Sequence, residues 1–476
     1  MSIRKYKHIL CSLVASGLFL VGLCLLLNGT SQTAWADSGE LFVTPAGSGD
    51  CSQANPCDLQ TALSTVSNGD TLYVAGGTYT GSGGAVITVT HSITLYGGWD
   101  GTTTMPVVRD PTTYPTTLDG EATRRGVHIS GEITPTVAGF IITGGRAEDG
   151  GGIYVYDASP RIQNNVITAN RTIDGGAYAD GRGGGIYVGG NSAASITQNR
   201  ILSNTSGYGG GIYHDGGGSI TVITNEIAGN SVLHRGGGIM VERSPDLIQA
   251  NVIAGNTAAA DGGGLLIWAA APQVAANRIV GNVANSGGGI GMGNNATPNL
   301  LNNMLIGNSR DGLLMISSSP MVINNTIVGS GLSSSGAGLN LRSSPGCTPP
   351  YCTTGVYVNN IIVSYTVGIY GTGPITPMID YNDVWGNSTA DYTLPVDVVI
   401  GTHNISQDPR FTNPAADAYQ LQSISPCIDA GDPAGVPPAP PTDINGNRRP
   451  VGARVDIGAE EFAIEIYLPL VVRNDH

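Results

Sequence analysis

The sequence predicts an all-β solenoid, because one short phrase returns at a fixed interval through the middle of the chain. Over residues 150–339 a Gly-Gly-Gly-Ile phrase alternates with an Asn-x-Ile phrase. A period in this range is typical of a solenoid, in which each unit buries its apolar face only against its neighbours. One series of asparagines recurs every 26 residues: Asn199, Asn225, Asn251, Asn277 and Asn303. A second series lies five residues after the first: Asn170, Asn204, Asn230, Asn256, Asn282 and Asn308.

The pattern inside each unit indicates which solenoid this is. Glycine clusters and two asparagines break every unit into short apolar runs with period-2 character, which excludes helical repeats. Leucine-rich repeats need leucine at fixed positions, and the calcium-binding β-roll needs a Gly-Gly-x-Gly-x-Asp period that this sequence lacks. What fits is three short strands per 26 residues, each pairing in parallel with its equivalent about 4.8 Å away in the next coil. The predicted fold is therefore a parallel β-helix with three strands per coil.

The chain before the repeats divides into a secretion signal and an entry to the solenoid. Residues 1–36 combine a basic start, an apolar segment and an Ala-Trp-Ala cleavage site, as a signal peptide does. If it is not cleaved, the apolar segment of 19 residues is long enough to span a membrane. Residues 37–140 hold the first coils. Within them, residues 58–66 predict a short amphipathic helix that caps the N-terminal end of the core.

Charge restricts the class of partner. The whole chain has a formal net charge of −14, and removal of the signal leaves 18 arginines, no lysine and 35 acidic residues, or −17. Such a surface argues against nucleic acid and anionic membranes as partners, and acidic glycans would need local arginines or bridging cations. We expect a monomer with no membrane span after signal cleavage.

The cysteines predict disulfides and no metal site. Cys51 and Cys57 flank one short loop, and Cys347 and Cys352 flank another. An exported protein can keep such pairs oxidised, so we expect two bridges that staple loops. Cys427 is left over, and the sequence does not indicate its role.

The repeated phrases make the chain resemble the right-handed parallel β-helix proteins, a superfamily of pectin and pectate lyases, polygalacturonases and bacterial surface proteins. They are also similar to the Gly-Gly-Ala-Ile and Phe-x-x-Asn repeats of chlamydial polymorphic outer-membrane proteins. The resemblance covers roughly residues 41–462 and implies a right-handed coil. It does not define an activity, because this fold hosts lyases, hydrolases, epimerases and adhesins.

The family signatures of catalysis are missing. The Asn-Thr-Asp and Asp-Asp doublets of polygalacturonases are absent, as is the Trp-x-Asp-His motif of pectate lyases. No catalytic residue therefore carries over from the resemblance.

The chain after the repeats, which fill residues 141–390, predicts a C-terminal cap and tail over residues 391–476. Its phrases Ser-Pro-Cys-Ile-Asp at 425–429, Asp-Ile-Asn-Gly-Asn at 443–447 and Val-Asp-Ile-Gly-Ala-Glu at 455–460 resemble the C-terminal signature of bacterial extracellular β-helix proteins of the choice-of-anchor Q type. Residues 443–454 lack the glycine and glutamate of an EF-hand loop. Residues 464–472 are either a last strand or a sorting tag.

The glycines and asparagines of the repeat have structural roles in this interpretation. Glycine lets the backbone turn a tight corner with positive φ. Asparagine tolerates the left-handed conformation at corners, and stacked coils let each amide bond to the next as a ladder. Function must then come from the positions that vary.

The variable outward positions predict one functional face. Following each glycine triplet, the first outward site reads Tyr154, Tyr187, Tyr213, Met240 and Leu266, and the second reads Tyr156, Gly189, Asp215, Glu242 and Trp268. Aromatic rings in rows about 5 Å apart can stack on sugars, and carboxylates can bond hydroxyls or hold Ca²⁺. The candidate substrate-binding residues are Tyr154, Tyr187, Tyr213, Trp268, Arg182, His234 and Arg235.

Two carboxylates on adjacent coils are the candidate catalytic residues. Asp215 and Glu242 suit general acid and base work, or calcium, and an exposed acidic face without function is the alternative. His214 takes an inward position, where we expect an interior histidine rather than a catalytic base.

Two functions follow from this face. The first is a secreted or cell-surface module of bacterial extracellular type that binds polysaccharides or cell-surface glycans. The alternative is a polysaccharide lyase or glycoside hydrolase, with Ca²⁺ as the cofactor its carboxylates could hold. The missing motifs favour the first, and whether the protein is an enzyme stays open.

Overall fold

The computed structural model describes residues 39–173, 181–331, 336–344, 346–348, 351–433 and 439–463. The signal segment 1–36 and the predicted last strand or tag at 464–472 lie outside the described residues. Within them, no helix has the length and apolar character needed to cross a membrane.

The described chain winds through three long parallel sheets, which confirms the predicted fold class. The first sheet has 13 strands: Glu40–Val43, Thr71–Ala75, Thr94–Trp99, Thr136–Ala138, Arg161–Gln163, Ser195–Thr197, Thr221–Ile223, Leu247–Gln249, Gln273–Ala275, Asn299–Leu301, Met321–Ile323, Val356–Val358 and Met378–Asp380. The second has 12: Ala85–Val89, Arg125–Ser130, Ile153–Tyr156, Ile186–Gly190, Ile212–Gly216, Ile239–Glu242, Leu265–Trp268, Ile290–Gly293, Leu313–Ile316, Ala337–Arg342, Val367–Thr372 and Ala390–Thr393. The third has 12: Gly77–Tyr79, Thr116–Asp119, Phe140–Thr143, Val166–Thr168, Arg200–Leu202, Glu226–Ala228, Val252–Ala254, Arg278–Val280, Met304–Ile306, Thr326–Val328, Ile361–Val363 and Asp383–Trp385.

Each coil runs from the first sheet to the third and then to the second, and a short fourth sheet lies before the second. That fourth sheet has five strands: Arg146–Ala147, Arg171–Thr172, Thr205–Tyr208, Ser231–Arg235 and Thr257–Ala258. Inward side chains stack on their equivalents from coil to coil, as Ile212 pairs with Ile239 and Ile227 with Ile253. These isoleucines are fully buried, so one apolar core runs the length of the solenoid.

The glycine triplets turn the corner into the second sheet. The first glycine of a triplet has the positive φ that the sequence predicts, as at Gly209 with φ 58°. The third has no room for a side chain, because a Cβ at Gly238 would lie 2.5 Å from the carbonyl oxygen of Gly264 in the next coil. Glycine is therefore required here by backbone conformation and by close approach of coils.

The asparagines form the predicted ladders. The side-chain oxygen of Asn225 accepts hydrogen bonds from the backbone N–H and the Nδ2 of Asn199, at 2.9 and 3.1 Å, and the pattern repeats along both series. The expected left-handed conformation of these asparagines is wrong. Positive φ belongs to the residue before, as at Thr224 and Ala250. That residue turns the corner, which leaves the asparagine side chain inside, where it satisfies buried backbone groups.

A short helix caps the N-terminal end, as predicted. The helix is Leu59–Thr65, and the Asp58 side chain accepts hydrogen bonds from the backbone N–H groups of Gln60 and Thr61. This N-cap satisfies donors that a helix start otherwise leaves open. Leu59 and Ala62 are buried in the main core. The neighbouring loop carries a disulfide between Cys51 and Cys57.

The C-terminal segment does more than the predicted capping. Leu394, Val398 and Ile400 pack against the end of the core, and the chain then turns back along the outer surface of the third sheet. There it forms an antiparallel hairpin of Phe411–Asn413 and Ala418–Leu421, joined by the 3₁₀ turn Pro414–Ala416.

Hydrogen bonds attach this returning segment to the coils. Asn324 Nδ2 donates to the Asp456 carbonyl at 2.9 Å, and the Ala459 N–H donates to Thr326 Oγ1 at 2.9 Å. The carboxylate of Asp443 accepts from the backbone N–H groups of Asn445, Asn447 and Glu461. Because its carboxylate binds these three backbone donors, Asp443 holds a tight turn within the segment.

Candidate functional site

The predicted face is the outer surface of the second sheet, and its rows have the register expected from the sequence. Tyr154 pairs with Tyr187, and Tyr187 with Tyr213. Asp215 pairs with Glu242 on the next coil, and Glu242 with Trp268. The two candidate catalytic carboxylates are therefore direct cross-strand neighbours.

The first outward row is covered rather than open. Tyr187 is 7% exposed and Tyr213 is 3% exposed, and Met240 and Leu266 in the same row are also buried. The rings stack on one another, with 5.1 Å between the centroids of Tyr154 and Tyr187 and 5.9 Å between those of Tyr187 and Tyr213. The glycine corner folds back over the row. The sequence carried a signal of this burial, because two residues of the outward row, Met240 and Leu266, are apolar.

A cleft of about 340 Å³ opens beside this row, over the coils that carry Asp215 and Glu242. Three arginines line it: Arg182 precedes the strand Ile186–Gly190, and Arg235 and Arg243 flank the strand Ile239–Glu242. Arg182 Nη1 lies 3.8 Å from Asp215 Oδ2, and Arg243 contacts both carboxylates, with Nη1 at 3.2 Å from Glu242 Oε2. Arg235 Nε lies 3.1 Å from Asp261 Oδ2 at the rim. We call this cavity, with its arginines and carboxylates, the central cleft.

Arg243 is a residue that the sequence reasoning missed. Its side chain is 59% exposed, and it bridges the two candidate carboxylates. It directly follows Glu242 at the end of its strand, so the period-2 pattern of the strand no longer indicates its direction. The signal that the sequence offered was an arginine directly after Glu242, one of the two paired carboxylates.

Burial and charge perturb one acid of the central cleft and one tyrosine of the adjacent row. Burial first, and then the neighbouring Asp215 carboxylate, raise the pKa of Glu242, while Arg243 and a hydrogen bond from Tyr213 oppose this rise. Burial also raises the pKa of Tyr187 to about 12. Glu242 therefore binds a proton more readily than an exposed glutamate does.

The remaining predicted side chains lie at the rim. The Arg182 guanidinium lies 5.5 Å from the ring centroid of Tyr213, and that of Arg235 lies 5.1 Å from the centroid of Trp268. His234 stacks on Tyr208 with 5.0 Å between centroids. Arginines thus cover aromatic faces that the sequence suggested for sugar stacking. A ligand at these rings would contact guanidinium groups first.

Two further cavities open on the same surface of the second sheet. One, of about 440 Å³, includes Arg125, His128 and Tyr154, and the other, of about 380 Å³, includes Arg310 and Arg342. Eight strand steps separate the first of these arginines from the last, which corresponds to about 38 Å at about 4.8 Å per step. We call the whole surface the arginine face; its arginines are Arg125, Arg182, Arg235, Arg243, Arg310 and Arg342.

His214 points into the core, as predicted. It is fully buried, and its Nδ1 lies 2.8 Å from Asp246 Oδ2. Ser244 Oγ and the Ile220 N–H also donate to the Asp246 carboxylate. Among the described residues, His214 Nε2 has no hydrogen-bond partner. The imidazole is enclosed by protein and does not reach the central cleft.

The other predicted features are placed as follows. Cys347 and Cys352 form a disulfide. The Cys427 thiol is buried and donates to Asp383 Oδ2 at 3.2 Å. Across the described ranges, no group of three or more histidine, cysteine, aspartate or glutamate side chains has the arrangement of a metal site.

Comparison with known proteins concerns the fold. No curated protein sequence matches the chain. Similar solved structures include a pectate lyase, Pel9A, with 14% identity and a TM-score of 0.46, covering 89% of this chain and 96% of that one. A complex of XylC with xylose has 11% identity and a TM-score of 0.43, covering 89% and 99%. A family 6 polysaccharide lyase from Pseudopedobacter saltans has 12% identity and a TM-score of 0.43, covering 81% and 97%. A family model described as the right-handed β-helix region matches residues 125–303, the part of the chain that carries the central cleft.

Proposed function

We propose that this protein is exported and binds an extracellular polysaccharide along the arginine face, with the central cleft as the principal contact. The observation that carries the proposal is the meeting of three arginines and two carboxylates in one open cleft. Residues 1–36, with the pattern of a signal peptide, support export.

The chemistry of the cleft suits a carbohydrate with carboxylate groups. Guanidinium groups bond carboxylates and hydroxyls with directed, charge-assisted hydrogen bonds. Arg182, Arg235 and Arg243 outnumber Asp215 and Glu242 in the cleft lining. With Asp261 paired to Arg235 at the rim, three arginines stand against three carboxylates there, on a chain whose net charge is −14. Repeated cavities along one sheet suit an extended polymer better than a small ligand.

Binding to polymers tests the proposal. Residues 37–476 would be titrated with polygalacturonate, alginate and a neutral glucan at low and high salt. We expect tighter binding to the acidic polymers, which weakens as salt screens the arginines. Replacement of Arg182, Arg235 and Arg243 together by Gln should weaken this binding by about tenfold or more, because the loss of even one charge-assisted hydrogen bond, at about 1.5 kcal/mol, corresponds to that factor.

A matched control distinguishes binding at the arginine face from the general attraction of an acidic polymer to any exposed arginine. Arg200 lies on the third sheet, is 58% exposed and pairs with Glu226 at 2.7 Å, much as Arg243 pairs with its carboxylates. Arg200→Gln should leave polymer binding unchanged. Equal binding of the neutral glucan, or equal loss in the control and the triple variant, would contradict the proposal.

Cleavage of the bound polymer is the second candidate function, favoured by the raised pKa of Glu242 beside Asp215. Two neighbouring carboxyl groups in different surroundings are a candidate pair for general acid and base catalysis. Asp215→Asn with Glu242→Gln distinguishes the two functions. If the protein only binds, the loss of two negative charges should tighten binding to acidic polymers. If it cleaves, the release of reducing ends or unsaturated uronate should stop.

A further inference from the structure

A separate cavity of about 300 Å³ lies on another side of the solenoid, between the third sheet and the C-terminal hairpin. Val328, Val363 and Trp385 form its floor, as successive cross-strand neighbours on the outer surface of the third sheet. Phe411 and Tyr419 of the hairpin form its wall, with their rings edge to face at 5.3 Å. It shares no lining residue with the central cleft.

The hairpin covers this floor unevenly. Val328 is 6% exposed and Val363 is 3% exposed, whereas Trp385, the next residue of the row, is 37% exposed. Trp99, by contrast, is fully buried in the N-terminal coils. An indole left partly open at the mouth of a cavity offers a large, rigid apolar surface to a ligand.

Polar groups of both signs stand at the edge of the same cavity. Arg410 Nη1 lies 3.3 Å from Asp408 Oδ2, and both side chains are partly exposed. The Gln422 amide donates to the Phe411 carbonyl at 2.9 Å, which fixes the edge of the hairpin. The pair of Asp408 and Arg410 supplies hydrogen-bond donors and acceptors with no net charge.

We propose that this cavity is a second carbohydrate site, which holds a single neutral pyranose residue with one face against Trp385 and its hydroxyls on Asp408 and Arg410. A pyranose has an apolar face and a rim of hydroxyls, and the cavity has a matching aromatic floor and polar edge. Its volume is at the lower end for ligand sites, which suits one sugar. An anion gains nothing from a neutral ion pair, and a wholly apolar ligand would leave that pair desolvated.

The site is independent of the proposed polymer contact, because it lies on a different sheet and prefers a neutral ligand. The test uses the methyl glycosides of glucose, galactose, mannose and xylose, with methyl glucuronide as the anionic counterpart of glucose. Binding to residues 37–476 is followed by tryptophan fluorescence and by saturation-transfer NMR. We expect a neutral glycoside to bind with a Kd on the order of millimolar, as is usual for so small a contact.

Variants assign the binding to this cavity. Trp385→Ala should weaken binding at least tenfold, while Trp385→Phe should retain part of it. Arg410→Gln alters an exposed side chain, and Asp408→Asn keeps an oxygen that can accept from the Arg410 N–H. Each should weaken binding several-fold, so the test survives a folding defect in Trp385→Ala. Trp268→Ala on the arginine face is the matched control and should bind the glycoside normally.

Three results would overturn the inference. They are no saturation by any neutral glycoside below about 50 mM, a Kd for the glucuronide lower than that for the glucoside, and unchanged binding in the Trp385 and Asp408 variants. Loss of polymer binding in the arginine variants, with the glycoside still bound, would bear only on the proposed function of the arginine face. It would leave the inference about this cavity unaffected.

Discussion

Replacement of one ladder asparagine by alanine gives a direct measure of what holds the coils together. Asn251 is 1% exposed and lies in the middle of the longest ladder. Its side-chain oxygen accepts from the backbone N–H of Asn225 at 2.9 Å and from Asn225 Nδ2 at 3.0 Å. Its own Nδ2 donates to the Val222 carbonyl at 2.8 Å and to Asn277 Oδ1 at 3.0 Å.

The expected cost follows from the groups left behind. Asn251→Ala removes four hydrogen bonds and leaves the backbone N–H of Asn225 without a partner, whereas Asn225 Nδ2 keeps the carbonyls of Ile196 and Ile223. Each buried unsatisfied group costs about 1–3 kcal/mol. The free energy of unfolding should therefore fall by about 1–3 kcal/mol. A water entering the small void left by the amide would bring the cost toward the lower value.

Equilibrium unfolding in guanidinium chloride, followed by circular dichroism, measures this change. The control is Asn191→Ala, because Asn191 is exposed in a turn outside the ladders. Its replacement should change the free energy of unfolding by no more than about 0.5 kcal/mol. A loss below about 1 kcal/mol for Asn251→Ala, or one equal to the control, would refute the view that the ladder amides carry the inter-coil energy.

Three further changes test the core, the corners and the C-terminal contact. Ile253→Ala, at a fully buried site, should cost about 2–5 kcal/mol in chemical denaturation, whereas Val252→Ala on the same strand, 43% exposed, should cost little. Gly238→Ala should lower the melting temperature, because its Cβ would meet the next coil, and Gly83→Ala, with open space around it, should not. Burial raises the pKa of Asp383 to about 7, so the unfolded chain loses this proton first as pH rises. The stability from this group is complete below about pH 4 and is lost by about pH 7. The melting temperature of Asp383→Asn, measured over that range, should therefore depend less on pH than that of the parent protein.

Local pattern predicted the features that repeat. A period of 26 residues, with isoleucines at fixed offsets from asparagines, leaves a parallel β-helix as the arrangement that buries every apolar face. The ladders and the positive φ of Gly209 follow from the same register. The corner conformation was assigned to the wrong residue, because asparagine propensity for the left-handed region points to Asn225, whereas Thr224 adopts it.

The candidate site was predicted in part. The alternation of outward positions placed Asp215 beside Glu242 on adjacent strands, as the register shows. It did not show that Tyr187 and Tyr213 are covered, because their burial depends on how the corners and rim fold over the sheet. Nor did it show the position of Arg243, whose contacts with both carboxylates arise beyond the end of the strand.

The order of the amino acids is enough to predict the coil, because a solenoid is built from interactions between equivalent residues one period apart, and a period is visible in one dimension. Which outward residues a ligand can reach depends instead on the folded arrangement of corners, rim and C-terminal segment. In that arrangement the C-terminal segment returns along the third sheet, where Tyr419 and Leu421 cover outward apolar residues and leave Trp385 partly open. Such contacts join segments with no shared repeat, so their geometry depends on packing rather than on a pattern that the sequence displays.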